Sequence, residues 1–171
     1  MSVNIENSDH RTKGFHGTSK ISADEIIRTG YVKSKPDSGA YLGEGVYFFE
    51  NQLTNAKNWA LRRSPVGTQV AVIESDVRYG RLLNLADRQH LDELGWFRKG
   101  LERKAMKAIS FATAVDVAAA ALNVDVVKAN RIVGDPGVKG PGFSADIEMI
   151  LAVRNLSNIL SKDLVWSGLV E

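Results

Sequence analysis

Three polar residues stand where the surrounding sequence reads as buried. "FHGTS" puts His16 at a strand end beside Gly17, "GEGVYF" puts Tyr47 in mid-strand after two glycines, and "ADIEMILAV" puts Glu148 ahead of an apolar run. Ordinary explanations exist: a hydrogen-bonded structural histidine for His16 and a core tyrosine for Tyr47. Glu148 draws the most suspicion, because a charge next to "MILAV" risks burial and buried charge is costly without a partner or a task. The stretch "LGEGVYFFENQLTNAKNWA" also crowds Tyr47, Phe48, Phe49 and Trp59 between Gly43 and Gly45 on one side and amides on the other. That crowding suits a packed core or a flat, dry slot for an aromatic ligand, with Gly43 and Gly45 letting backbone approach the ligand where a Cβ would collide.

The elements that would hold these residues can be read from pattern. The first dozen residues are polar and read as frayed. "KGFHG" reads as a short strand. "SADEIIRTG" reads as a helix with Ser22 as N-cap, Glu25 at the capping-box position, Ile26 and Ile27 facing inward and Gly30 closing it. "VKSKPDSGAYLGEG" is a loop by its glycine, proline and serine content. "VYFF" is a strand in which Phe48 points opposite to Tyr47, into the interior. "NQLTNAKNWALRR" is a helix with Leu53, Ala56, Trp59 and Ala60 inward. "TQVAVIESDVR" is a strand, followed by "YGRLLNL". From about Ala86 to Val133 the pattern is helical throughout, with "VDVVKANRIV" as its third helix. "GDPGVKGPGFSAD" is a loop, and "IEMILAVRN" and "LVWSGLV" are closing strands. The order is α+β, without regular βαβ alternation.

Composition narrows the class. At 171 residues, one domain spanning 1–171 is expected. With 44% hydrophobic residues it can fill a core. A net charge of +2 is too small to argue for nucleic acid. The absence of cysteine removes disulfides, thiolate nucleophiles and sulfur-ligated metals. No secretory leader or membrane-length apolar run is visible, which points to a cytoplasmic protein. "GPGFSA" has the glycine spacing of a dinucleotide fingerprint but lacks the preceding strand and carries a proline in the turn. His10, His16 and His90 lack metal-ligand spacing, so no metal is expected.

The three segments together resemble the ADP-ribosyltransferase superfamily, in its poly(ADP-ribose) polymerase-like branch with a His–Tyr–Glu triad. "FHGTSKISADEIIRTGY" is similar to that family's first block, "LGEGVYFFENQLTNAKNWA" to its second and "IEMILAVRNLSNIL" to its third, in the family's order and over roughly 50 residues. The resemblance implies a split, mixed and antiparallel β-sheet core with flanking helices, here with a helical insertion at about 86–133. It implies NAD+ as substrate. His16 would bond the hydroxyls of the nicotinamide ribose, the Gly17 backbone the carboxamide, and Tyr47 would stack on the nicotinamide. Glu148 would hold the ribose 2′-hydroxyl and stabilise charge at the anomeric carbon. Thr18, Gly45, Asn55 and Trp59 complete the implied NAD+ contacts.

Two departures concern the second block. Where the family often has a carboxamide-binding serine, this chain has Thr54 and Asn55. Three residues beyond Asn55, where the family often has a second stacking aromatic, stands Asn58, with Trp59 one place later. Either Trp59 stacks through a small register change or one wall of the nicotinamide sandwich is missing. The helical block has no recognised counterpart. Within it, Lys99, Arg103 and Lys107 fall on one helical face, as a solvated surface or as a phosphate-facing stripe. "GDPGVKGPGFSAD" reads as an acceptor-recognition loop or a plain surface loop.

The activity so implied is mono-ADP-ribosyl transfer to a macromolecular acceptor, protein or nucleic acid. The resemblance also permits a toxin or phage-defence effector, restrained by an antitoxin or inhibitor protein. The alternatives are an NAD+ glycohydrolase and a non-catalytic module that binds NAD+ or ADP-ribose.

Overall fold

The computed structural model describes residues 3–36, 38–133 and 146–171. In chain order the elements are β1 (Glu6–Ser19), α1 (Lys20–Thr29), β2 (Val46–Glu50), α2 (Leu53–Arg63), β3 (Gln69–Asn84), α3 (Arg88–Ala105), α4 (Phe111–Ala121), β4 (Val126–Val133), β5 (Asp146–Val153) and β6 (Asp163–Leu169). The expected α+β class holds.

The sheet order is β1-β2-β5-β4-β3-β6, and β1 also pairs with β3. Five strands therefore close into a ring, with β6 added along Gln69–Glu74 of β3. Closure removes most exposed strand edges. All pairings are antiparallel except β3 with β4.

Side-chain alternation gives the ring two faces. The interior holds Val46, Phe48, Val77, Tyr79, Leu82, Val126, Leu151 and Val153. Phe48 is 1% exposed and takes the inward position expected of it. The outer face presents Phe15, Phe49, Val127, Ala129, Ile150 and Ala152 to Ala56 of α2, Leu94 of α3, and Ala114, Val115 and Ala118 of α4. Small residues on α4 let it lie close to the sheet.

Inside the ring the apolar filling gives way to one polar network. Lys128 Nζ lies 2.8 Å from Glu50 Oε2 and 3.1 Å from the Tyr79 hydroxyl, which itself donates to Glu50 Oε1. Burial alone would push the Glu50 carboxyl up, but the Lys128 ammonium and Tyr79 hydroxyl outweigh it and hold the group below its usual value. Burial, reinforced by Glu50, pushes the Tyr79 phenol up to about 12.

Several expectations need correction. The N-terminal residues from Glu6 are a strand, because β1 pairs with β3 from Glu6↔Leu82 to Ser19↔Val70. A ladder uses backbone groups and tolerates polar side chains on an exposed face. "TQVAVIESDVR" and "YGRLLNL" form a single strand. Gly80 (φ 61) shifts its alternation, so Val77 and Tyr79 and then Leu82 point inward. The N-cap of α1 is Ser19, whose hydroxyl accepts from the Ser22 amide, and Glu25 pairs instead with Arg28 at 3.0 Å. Ile27 is 36% exposed, and Ala23 is the fully buried residue. Gly30 does end the helix, with φ 98 and its amide donating to the Ile26 carbonyl. The helical block stops at α4. Val126–Val133 is a strand between β3 and β5, as its β-branched residues favour. The expected loop "GDPGVKGPGFSAD" lies, up to Ala145, outside the described residues. Among the described residues no helix is long and apolar enough to cross a membrane.

Candidate functional site

The ring has one weak seam. β1 and β2 pair only at Gly14↔Glu50 and Phe15↔Phe49. Beyond Phe15, β1 continues along β3 while β2 continues along β5, and the two strands part. Where the next rung would be, the His16 side chain bridges the gap, with Nδ1 2.8 Å from the Tyr47 carbonyl oxygen. A carbonyl only accepts, so Nδ1 carries the proton and Nε2 of the neutral ring is an acceptor. The imidazole packs edge-on to Tyr31 and Phe48, at centroid distances of 5.6 and 6.0 Å.

Burial lowers the His16 pKa below its usual value, and the Tyr47 carbonyl offsets this only in part. The sign of the linkage follows. As pH falls through about 6.5, the unfolded histidine takes up a proton that the folded one resists. The contribution of His16 to stability is therefore complete above that pH and is lost on acidification towards the folded pKa. Urea midpoints should drop between pH 7.5 and 5.5, and His16→Gln should remove most of that drop. An equal drop in the variant would assign it to other groups.

The parted strands open a cleft of about 410 Å³. Its lining includes His16 and Gly17 of β1, Tyr47, Phe48 and Phe49 of β2, Trp59 and Arg63 of α2, Arg131 of β4, Ile150 of β5 and the loop segment Ser38–Tyr41. The Tyr47 ring is pinned by its hydroxyl, which accepts from the Leu42 amide at 2.9 Å and donates to the Gly43 carbonyl at 2.6 Å. Burial, above all, pushes this phenol up to about 12, so it stays protonated.

The helical block shapes the rim. Asp116 of α4 accepts from the Glu44 amide at 2.8 Å and from Arg154 at 2.6 Å, and Arg154 also donates to the Glu44 carbonyl. Phe111, the first residue of α4, stacks on Tyr41 at 5.7 Å. The glycines answer to this packing. A Cβ at Gly43 (φ 74) would sit 2.2 Å from Asp116 Oδ1, and one at Gly17 would sit 2.1 Å from the Ala56 carbonyl oxygen. A Cβ at Gly45 would meet Ala152 at 3.2 Å. The reading that Gly43 and Gly45 make room for a ligand is thus corrected: at both, the neighbour is protein.

Glu148 is 3% exposed. Arg131 holds it, with Nε at 2.8 Å and a terminal guanidinium nitrogen at 2.6 Å from the same oxygen, Oε2. The two residues stand opposite each other in the β4–β5 ladder. Glu148, Ile150 and Ala152 share one face of β5, and Ile150 and Ala152 oppose Phe49 and Tyr47. Glu148 and Tyr47 therefore lie on the same face of the sheet, and the guanidinium links the carboxylate to the cleft.

Of the residues expected from sequence, His16, Gly17, Tyr47 and Trp59 meet in the cleft. Glu148 stands behind Arg131. Thr18, Gly45 and Asn55 are not part of the lining, and the Asn55 amide donates instead to the Gln52 side chain at 3.4 Å. Trp59 packs edge-on to Phe49 at 6.2 Å, and the guanidiniums of Arg63 and Arg131 lie over its ring at 4.8 and 5.3 Å. Sequence reasoning missed both arginines. Arg63 is the last residue of an amphipathic helix. Arg131 was hidden by reading its segment as a helix; as a strand it falls opposite Glu148. Among the described residues, no group of three or more His, Asp or Glu side chains could hold a metal ion.

No model of a known family matches the sequence, and no curated protein is similar to it. Among solved structures, 95% of this chain aligns with 85% of a chain in the crystal structure of the M. tuberculosis MbcT–MbcA toxin–antitoxin complex, at 12% identity and a TM-score of 0.46. A likeness of that degree establishes neither a shared fold nor a shared activity.

Proposed function

We propose that residues 1–171 form one ADP-ribosyltransferase-like catalytic unit that binds NAD+ in the seam between β1 and β2 and transfers ADP-ribose to a macromolecular acceptor. The observation that carries this reading is the seam itself. There a neutral imidazole, with Nδ1 donating to the Tyr47 carbonyl, stands beside a pinned aromatic ring and two guanidiniums. Nε2 of His16 would accept from a ribose hydroxyl. The ring of Tyr47 would stack on the nicotinamide, and cation–π attraction would add to the stacking.

Arg63 has no acidic partner among the described residues and shares the cleft with Arg131. Together they suit a diphosphate. This assigns Trp59 as the platform that carries both cations, leaving Tyr47 as the stacking wall for the cationic ring. Gly17, Thr18, Gly45 and Asn55 keep their assignment to NAD+ only as part of this proposal.

In the reaction the nicotinamide–ribose bond breaks, with its electron pair passing to the pyridine nitrogen. The ribose becomes oxocarbenium-like, as in glycoside cleavage. Glu148 would approach it once the diphosphate draws Arg131 towards itself, and a carboxylate there stabilises charge only as it develops. The acceptor nucleophile then bonds to the anomeric carbon and loses its proton to Glu148 or water.

Incubation with NAD+ labelled in the adenylate moiety, alone and in a cell lysate treated with nuclease or protease, tests the reading. Label in a macromolecular fraction together with nicotinamide release is the expected result. Release at the same rate without acceptor would make the protein a hydrolase, and no release under any condition would leave a binding module. The reading also accommodates a cytoplasmic toxin or phage-defence effector restrained by an inhibitor protein.

A further inference from the structure

The solvent face of α3 is built unlike the rest of the molecule. Arg98–Lys107 carries five cations and one carboxylate, so the remainder of a chain of net charge +2 is net negative. That carboxylate, Glu102, is engaged by Arg98 at 3.3 Å and by the Ile109 amide at 3.1 Å. Lys99, Arg103, Lys104 and Lys107 are exposed and have no acidic partner among the described residues. In their midst Trp96 is 51% exposed, although Leu94 and Phe97 of the same helix are available to pack inward. Trp96, Lys99, Arg103 and Lys107 line one shallow, open hollow with Met106, which is 92% exposed.

Two glycines add an independent observation. Gly95 and Gly100 lie within α3, and a Cβ at either would meet nothing within 4 Å. A helical glycine costs about 1 kcal/mol relative to alanine, and packing within the chain gives no reason for either. Gly100 is four residues from Trp96 and shares its face. Bare backbone there lets a flat group approach the indole closely.

We propose that this face of α3 binds single-stranded nucleic acid, with Lys99, Arg103 and Lys107 on successive phosphates and Trp96 stacked on a base. Lys99 and Arg103, four apart on α3, lie about 6 Å apart along its axis, the scale of successive phosphates on an extended strand. Lys107, expected on the same helical face, instead follows the left-handed cap Met106 (φ 51) that ends α3 and joins them by lining the same hollow. A base must be unpaired to offer its face to an isolated indole, which favours a single strand over a duplex. The surface is separate from the cleft, and the proposal stands or falls without the NAD+ chemistry.

Fluorescence anisotropy with a labelled 16-nucleotide oligo(dU) tests it, using the whole protein without NAD+. Binding should weaken steeply with salt. Trp96→Ala should weaken it roughly 10-fold and Trp96→Phe much less. Lys99→Glu/Arg103→Glu/Lys107→Glu should abolish it, with the circular dichroism spectrum and melting temperature unchanged because all three residues are exposed. Absence of binding at low salt, binding that ignores these variants, or equal or tighter binding to a 16-base-pair duplex, to poly-glutamate or to phosphatidylserine vesicles would overturn the proposal.

Discussion

Glu148→Gln is expected to lower nicotinamide release from NAD+ by roughly 100- to 1,000-fold, the range seen when one preorganised group facing developing charge is lost. The amide keeps the shape of the carboxylate and can still accept from Arg131, which now holds Oε2 at 2.6 and 2.8 Å. What it lacks is the negative charge that would oppose an oxocarbenium-like ribose. NAD+ affinity should change far less than turnover, because the residues that line the cleft and would grip NAD+ are left intact and the charge that Glu148 opposes develops only as the bond breaks. Nicotinamide release by chromatography and NAD+ binding by calorimetry separate the two effects. A parallel loss of both would make Glu148 a binding or folding residue. Retention of turnover would remove it from the chemistry.

The largest effect on stability is expected at Glu50. Replacing it with glutamine leaves the Lys128 ammonium in a largely buried place without its anion and takes the charged acceptor from the Tyr79 hydroxyl. Removing one partner of a buried ion pair costs about 3 kcal/mol or more, because the other charge stays desolvated. Urea unfolding of Glu50→Gln measures this directly. Glu50→Gln combined with Lys128→Met should recover part of the loss, since the orphaned charge is then gone. A single variant within about 0.5 kcal/mol of the parent would mean that water already reaches Lys128, and that the network contributes little.

Legibility in the sequence followed the range of the interactions concerned. Strands and helices with strong local patterns were readable: "VYFF" with its alternation, α2 with its inward alanines, and Gly30 at the end of α1. β1 was not, because its polar residues are held by a backbone ladder to β3 more than sixty residues away, as in Glu6↔Leu82. The β4 segment was misread because four apolar β-branched residues among polar ones fit a helical period nearly as well as a strand. Only its place between β3 and β5 decides. The same error hid the site's cations. As a strand residue Arg131 falls opposite Glu148; as a helical residue it pointed nowhere in particular. The glycines teach the reverse lesson. Gly43 and Gly45 were legible as close-approach positions, but the approaching groups are Asp116 and Ala152.

A crystal structure with a non-hydrolysable NAD+ analogue tests the central claim most directly. The account predicts the nicotinamide against the Tyr47 ring, a ribose hydroxyl on His16 Nε2, the diphosphate on Arg63 and Arg131, and the Glu148 carboxylate turned towards the anomeric carbon. An analogue bound away from the β1–β2 seam, or a seam left empty at saturating analogue while the protein remains folded, would contradict it.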